Sequence, residues 1–443
     1  MEAVAEKTTA VKNVPALRFP EFEGEWGQDK LDDLVEFKSG GTPSMKHPEY
    51  WDGDIPWISA SSMYGKFYTK SDRTVTELGL ANGTRLAPKG SLLLLVRGSM
   101  LFNKIPIGIA GVDVSFNQDV KALITKTESN TEFVYQWFLA KQNYLLNTVT
   151  GTGIGAGKLD TDELKNLKLH LPTLPEQQKI ASFLGSVDLK IEQLTKKKGL
   201  LEAYKKGVMQ RLFSSELGLG GLTDERISGG EDGANHILKS QNPTHPNSDK
   251  LRFKDDNGNN YPDWEVKRAK EVFRNHSNKK HNGDLPILAI TQDKGTVYRD
   301  SIDLDIKSSE ASIKSYKIVE KGDFIISLRS FQGGIEYSDL TGICSPAYTI
   351  LKPNIPINHT FFKYYFKKES FIKQLSNTVV GIRDGKQISY DAFAGMKLPL
   401  PCLEEQTKIA NFLTSLDKKI SYTSEELEQA RAFKKGLLQQ MFV

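Results

Sequence analysis

The chain of 443 residues has only two cysteines, Cys344 and Cys402. That excludes a disulfide framework and points to a reducing compartment, the cytoplasm. Long hydrophobic runs are missing too. The aliphatic run from Leu92 to Val96 is far too short to span a bilayer, and the N-terminus has no apolar stretch of a secretory signal. Neither charge sign dominates. With 59 Lys and Arg against 55 Asp and Glu the net charge is +4, which permits a nucleic-acid partner without demanding one.

Recognisable active-site motifs are also lacking. The run GTGIGAGK at 151–158 imitates a phosphate loop. Thr152 stands where a P-loop has its first glycine, and Leu159 where it has the Ser or Thr that holds Mg²⁺. As a dinucleotide loop it fits weakly, because no strand–helix unit with a downstream acid surrounds it. A turn ahead of a helix is the better reading. PDWEVK at 262–267 has the letters of a PD…ExK nuclease without the spacing between its parts. His276 and His281 lie five apart with no Cys partner, so no metal site is assigned. No Asn/Asp-Pro-Pro-aromatic tetrapeptide of an amino-methyltransferase occurs. No catalytic and no metal-binding residue is therefore expected.

What the chain does have is a repeat. Residues 169–213 recur as 398–442 at a constant offset of 229, with about 21 of 45 positions identical. Repeats on this scale decide the architecture and are read first. Each copy opens on prolines (Pro172 and Pro175; Pro399 and Pro401) and has none afterwards, as a helix requires. Ile180, Val187, Leu194, Leu201 and Val208 recur every seventh residue, with Phe183, Leu184, Ile191, Tyr204 and Leu212 widening the stripe. The second copy has Ile409, Leu416, Thr423, Ala430 and Leu437, flanked by Phe412, Leu413, Ile420, Leu427, Phe433 and Met441. Sustained heptads predict two long helices in a coiled coil, thin at Thr423 and Ala430.

The rest of the chain repeats more loosely. Residues 1–16 read as a flexible tail, and LRFPEFEGEW at 17–26 opens a domain that runs to 168. Within it, GGTPS at 40–44 is a turn cluster, DIPWIS at 54–59 and KGSLLLLVRGS at 89–99 read as strands, and 133–146 reads as an amphipathic helix. The first spacer helix takes 169–213, and a Gly-, Ser- and Asn-rich linker takes 214–250. A second opening, LRFKDDNGNNYPDW, starts a domain at 251–397, and the second spacer helix fills 398–443. KGDFIISLRSF at 321–331 matches KGSLLLLVRGS at an offset of 232. The fold class expected is α+β: two similar mixed α/β domains joined by two long antiparallel helices, with an internal pseudo-two-fold repeat.

The L-x-L-P-x-L-x-E-Q-x-K-I motif in both copies, the paired LRF…W openings, and the GGTPS and KG(S/D)hhhh-R elements (h, apolar) together resemble the DNA-specificity (S) subunit of type I restriction-modification systems, the HsdS-like family. The resemblance covers nearly all of 17–443. It implies a non-catalytic subunit of a DNA methyltransferase/endonuclease complex. Each globular domain is then a target-recognition domain reading one half of a bipartite double-stranded DNA target. The helices set the gap and dock two modification (methyltransferase) subunits, which restriction (translocase/nuclease) subunits can join. No cofactor is expected on this chain; S-adenosylmethionine, ATP and Mg belong to the partner subunits.

Two readers of different half-sites suggest a sorting rule. Residues identical at matched positions are candidates for scaffold or phosphate contacts: Lys89, Arg97 and Lys158 in the first domain, Lys321, Arg329 and Lys386 in the second. Polar residues that differ in the loops are candidates for base reading. These are Lys38, Thr42, Ser44, Ser61, Tyr64, Asn103, Lys104 and Gln118, then Asn275, His276, Gln292, Lys294, Gln332 and Tyr348. Helix packing is assigned to Ile180, Phe183, Leu184, Val187 and Ile191, and to Ile409, Phe412, Leu413, Leu416 and Ile420. Two readings of other classes stand beside this one: an enzyme with an unrecognised site, and a tandem scaffold without nucleic acid.

Overall fold

The computed structural model describes residues 13–153, 155–213, 251–292, 294–302, 310–378 and 388–443. Most of the tail expected at 1–16, the linker expected at 214–250, and Lys386 lie outside the described residues. The chain forms two compact units, Met1–Lys196 with Ser424–Val443, and Lys197–Thr423.

In the first unit the central sheet runs in the order β1 (Val35–Ser39), β3 (Val120–Thr125), β2 (Leu92–Leu95), Ile107–Ala110 and Phe67–Tyr68. Neighbours are antiparallel except the last pair. Leu92, Leu93, Leu94 and Leu95 are all 0% exposed. A strand covered on both faces reads as a continuous aliphatic run rather than an alternation, and each such leucine contributes about 1.5–3 kcal/mol by burial. Beside this sheet lies a small lobe in which Trp51–Ile58 is the longest strand and Trp51, Trp57 and Val75 form the core.

In the second unit β4 (Phe273–His276), β6 (Thr349–Pro353), β5 (Phe324–Ile326) and Glu336–Tyr337 follow the same order, all antiparallel. Its counterpart of the lobe is reduced to two-stranded pieces among the described residues, Leu288–Thr291 with Gly295–Tyr298 and Lys317–Val319 with Gly342–Cys344. In both units the opening strand pairs with the strand just ahead of the long helix: Gly27–Lys30 with Lys168–Leu171, and Glu265–Arg268 with Lys397–Leu400.

The predicted helix at 133–146 is two helices, α1 (Thr131–Ala140) and Gln142–Asn147. It is also not amphipathic where it matters, since all six residues 133–138 are buried. Its polar member, Gln136, is half satisfied: Nε2 donates to Asp188 Oδ2 at 2.7 Å, while the buried Oε1 has no partner among the described residues. In the second unit the matched segment is likewise split, into α3 (His359–Tyr365) and Glu369–Ser376.

The repeated stretches form α2 (Leu174–Leu212) and α4 (Leu403–Gln440), 39 and 38 residues long. Within the first unit Leu184 shares a core with Leu437, and Asp188 pairs with Lys434, so the two segments run antiparallel. Within the second, Lys205 pairs with Asp417, and Val208 and Leu212 share a core with Leu413 and Ile409.

The helix surface follows the heptad expectation only in part. Ile180, Leu184, Ile409, Leu413 and Leu416 are buried, but as members of the globular cores as well as of a helix seam. Val187, Ile191 and Ile420 are half-buried. Phe183 and Phe412 are likewise half-buried and pack on Phe19 and Phe253 of the LRF openings, ring centres 5.7 and 5.3 Å apart. Tyr204 and Phe433, matched across the repeat, are 54% and 56% exposed. The next residue explains this: Lys205 and Lys434 swing inward to their aspartates, and neighbours on a helix point about 100° apart. At the thin centre Thr423 is 2% exposed, its hydroxyl spent on Lys419 O of its own helix at 2.8 Å, and Ala430 is half-buried.

Candidate nucleic-acid interface

The repeated Glu-Gln of the helix motif is an anchor. Glu176 is 1% exposed and takes a two-pronged ion pair from Arg18, Nε and Nη2 each 2.8 Å from a carboxylate oxygen. Trp26 Nε1 donates to the same carboxylate at 3.3 Å. In the second unit Glu405, 0% exposed, takes Arg252 at 3.2 and 2.7 Å and Trp264 Nε1 at 2.9 Å. The LRF…W openings thus close on the first turn of each long helix. A fork of two parallel hydrogen bonds is the strong geometry for arginine and carboxylate.

The adjacent glutamines tie in the next element. Gln177 Oε1 accepts from Asn130 N at 2.9 Å and Gln406 Oε1 from Asn358 N at 2.8 Å. Asn130 and Asn358 in turn cap α1 and α3 through their side chains. The amide nitrogens of the glutamines donate back to Pro172 O and Pro401 O. Nothing local in either motif links it to the other, 158 residues away. The available signal was that an arginine, a tryptophan and a glutamate all recur in both halves.

On these anchored scaffolds, one edge of each sheet gathers the polar loops. In the first unit β1 ends at Ser39 and leads into Gly40 and Gly41, β3 is preceded by Gln118, and β2 is followed by Arg97. Thr42 Oγ1 donates to Gln118 Oε1 at 2.7 Å. A Cβ on Gly40 would sit 2.1 Å from Phe116 O, so only glycine lets the loop lie this close to the turn. The lobe tryptophans hold the loop from the other side, Trp57 Nε1 on Gly41 O at 3.0 Å and Trp51 Nε1 on Ser44 O at 3.4 Å. Lys38 is in register with Ala122 and lies 3.7 Å from Glu36.

Arg97 and Lys158 are register partners on neighbouring strands, Arg97–Gly98 and Gly157–Lys158. Both sequence-selected cations therefore meet on one small sheet. Arg97 is exposed. Lys158 Nζ lies 3.3 Å from Asp160, whose carboxyl is held below its ordinary range by the Glu163 and Asp162 backbone N–H groups and then by Lys158. The glycine-rich run is a hairpin, Thr150–Gly151 against Gly157–Lys158, rather than a phosphate loop opening a helix. Nearby, Lys104 Nζ lies 5.5 Å from the centre of the exposed Tyr64 ring. Asn103 precedes it, its N–H on Met100 O at 3.0 Å. Ser61 is exposed, its hydroxyl 3.0 Å from Ser59 Oγ.

The second unit builds its edge from other residues. Asn275 and His276 end β4, Tyr348 precedes β6, and Arg329 follows β5. Gln292 Nε2 donates to Arg329 O at 3.2 Å and to Gln332 Oε1 at 3.4 Å. Burial raises the Tyr348 phenol above its ordinary range, while the Arg329 charge opposes this. Lys294 is exposed on the turn after Leu288–Thr291.

Two sequence-selected lysines are not brought to these edges. Lys89 and Lys321 precede β2 and β5, at the opposite strand ends from Arg97 and Arg329. The backbone N–H of Lys89 caps Asp113, and that of Lys321 caps Thr341. The catalytic lookalikes have structural uses. His281 accepts from Gly283 N and faces Tyr316 O, so both ring nitrogens are spent on backbone. Asp263 lies 3.4 Å from Arg252, and Glu265 3.1 Å from Lys267. Among the described residues no group of three or more His, Cys, Asp or Glu is placed to hold a metal ion, and no helix is long and apolar enough to cross a membrane.

The profile of the family described as type I restriction modification DNA specificity domain matches residues 23–203 and 261–432. The chain is similar to the EcoR124I/EcoR124II type I restriction enzyme specificity subunit of Escherichia coli, 31% identical over 181 residues. That alignment spans 40% of this chain and 44% of the relative, under half of each. It is 25% identical to the MjaVIII type I restriction enzyme specificity subunit of Methanocaldococcus jannaschii, over 96% of this chain and 93% of the relative. Its fold resembles the crystal structure of a type I restriction-modification S subunit from M. genitalium, with a TM-score of 0.55 at 14% identity, covering 97% of this chain and 99% of that one. With two profile matches that together take in most of the chain, and repeated anchors in both, the protein belongs to the family of type I restriction-modification DNA specificity subunits.

Proposed function

We propose that residues 17–168 and 251–397 are two target-recognition domains, each reading one half of a bipartite double-stranded DNA site. The helical stretches 169–213 and 398–443 set the unread gap and dock two modification subunits, with restriction subunits joining in turn. This chain supplies specificity and no chemistry. S-adenosylmethionine, ATP and Mg belong to the partners.

One contrast carries the reading. The anchors are the same in both units: Arg18, Trp26, Glu176 and Gln177 answer to Arg252, Trp264, Glu405 and Gln406. The polar sheet edges differ, with Lys38, Thr42 and Gln118 on one and His276, Gln292 and Gln332 on the other. A constant scaffold with divergent exposed edges suits two readers of different sequences. Arg97 and Arg329, retained at both edges, suit the phosphate contacts that position a reader without specifying sequence.

The test is a methylome. The chain is co-expressed with its modification subunit in a methylation-free host, and modified bases are mapped. A split motif with a fixed gap is expected, and exchanging residues 17–168 for another such domain changes one half only. An active, bound modification subunit that leaves no motif overturns the reading.

A further inference from the structure

We infer that Gln118 in the first unit and Gln332 in the second are base-reading residues presented as hydrogen-bond donors, each selecting a keto-bearing base, guanine or thymine, in its half-site. The inference rests on the DNA-reading role proposed for the two sheet edges.

A free glutamine carboxamide offers an acceptor and a donor side by side, the pair that matches adenine. Gln118 lacks that freedom. Its Oε1 already accepts from Thr42 Oγ1 at 2.7 Å, while Nε2 has no partner among the described residues. The turn that carries it is fixed on three sides. Asn117 N donates to Ile58 O at 3.0 Å, Asp119 N to Asn117 Oδ1 at 3.1 Å, and Asp119 O accepts from Val96 N at 2.8 Å. The loop that carries Thr42 is itself fastened at Gly41, whose N–H donates to Phe116 O at 3.0 Å. With Oε1 turned toward Thr42 and one of its lone pairs engaged, the unengaged N–H₂ is the group this fastened turn offers to a ligand.

The second unit reaches the same arrangement with different residues. Gln332 Oε1 accepts from Gln292 Nε2, leaving Gln332 Nε2 as its outward group. Gln292 is seated by its second bond to Arg329 O and by Gly333, where a Cβ would come within 2.9 Å of Gln292 Cγ. In the major groove, N–H₂ donors meet O6 and N7 of guanine or O4 of thymine. Cytosine presents only its N4–H₂ donor, and adenine puts one beside N7. A carboxamide that offers its N–H₂ while its oxygen is engaged therefore favours keto bases and disfavours amino bases.

The experiment uses the full chain with its modification subunit and maps methylated motifs for wild type, Gln118→Glu, Gln118→Ala, Thr42→Val and Gln332→Glu. In wild type one position of each half-site is expected to be G or T where the glutamine reaches. Gln118→Glu turns the donor into an acceptor and should move that single position toward C or A. Gln118→Ala should relax it by roughly two- to tenfold, the discrimination of a single hydrogen bond rather than a bidentate pair. Thr42→Val frees Oε1 and should admit adenine there. Gln332→Glu should act on the other half alone. If wild type writes a split motif and the Gln118 and Gln332 variants write the same one unchanged, this inference fails while the two-reader function stands. If wild type writes no motif, the function itself fails.

Discussion

Asp188 of α2 pairs with Lys434 of α4 in the first unit, and the repeat copies of these residues, Asp417 and Lys205, pair with each other in the second. The offset of 229 maps each member of one pair onto the other. Each aspartate also receives a bond from its own domain, from Gln136 Nε2 at 2.7 Å and from Tyr364 OH at 2.6 Å. Asp188 and Lys434 are 21% and 12% exposed, Asp417 and Lys205 43% and 22%. Asp188→Asn should therefore cost more than Asp417→Asn, about 1–3 kcal/mol against less than 1. Denaturant unfolding of the two variants reads the order directly.

Removing the buried carboxylate of an anchor strands an arginine and an indole N–H. Glu176→Ala and Glu405→Ala should each destabilise their own unit by about 3–5 kcal/mol, the range for breaking one side of a buried pair. Hydrogen exchange should show the loss confined to the unit that carries the change. Equal loss in both units would mean that the anchors do not act locally.

Acid should weaken the first unit through His170. Burial, and then the Lys141 charge, hold its imidazole below the ordinary range, while its ring meets Gln28 Nε2 at 2.9 Å. The unfolded chain takes up this proton near pH 6.5, before the folded one does. The stability it contributes is complete above that pH and is lost as pH falls through the lower folded value. In melting curves taken between about pH 7 and pH 5, His170→Asn should show a shallower decline than wild type.

Arg97→Ala and Arg329→Ala should weaken binding to all DNA sequences alike. Each should flatten the dependence of log affinity on log salt by about one unit, as expected for one lost phosphate contact. A change in the recognised motif with the salt slope intact would place these arginines on base edges instead.

The repeat, the two long helices and the strand from Leu92 to Leu95 were legible because each leaves a periodic or uninterrupted apolar mark over many residues. Helix α1 was legible as a helix but not as one buried all round over 133–138, since burial between other elements leaves no polar face to read. The edges were legible only as loops. That Thr42 turns Gln118 depends on residues 76 apart meeting across a sheet, and nothing local in either segment announces it. Lys89 and Arg97 looked alike in sequence, yet the strand between them carries them to opposite ends of the sheet. The Arg18–Glu176 anchor spans 158 residues and was visible only in that both of its members occur twice.

A pairing made twice from a duplicated segment also has a genetic reading. Copying either helical repeat over the other leaves an aspartate facing a lysine in both units, because Asp188 equals Asp417 and Lys205 equals Lys434. Gene conversion between the two repeats of this one chain would therefore preserve both ion pairs.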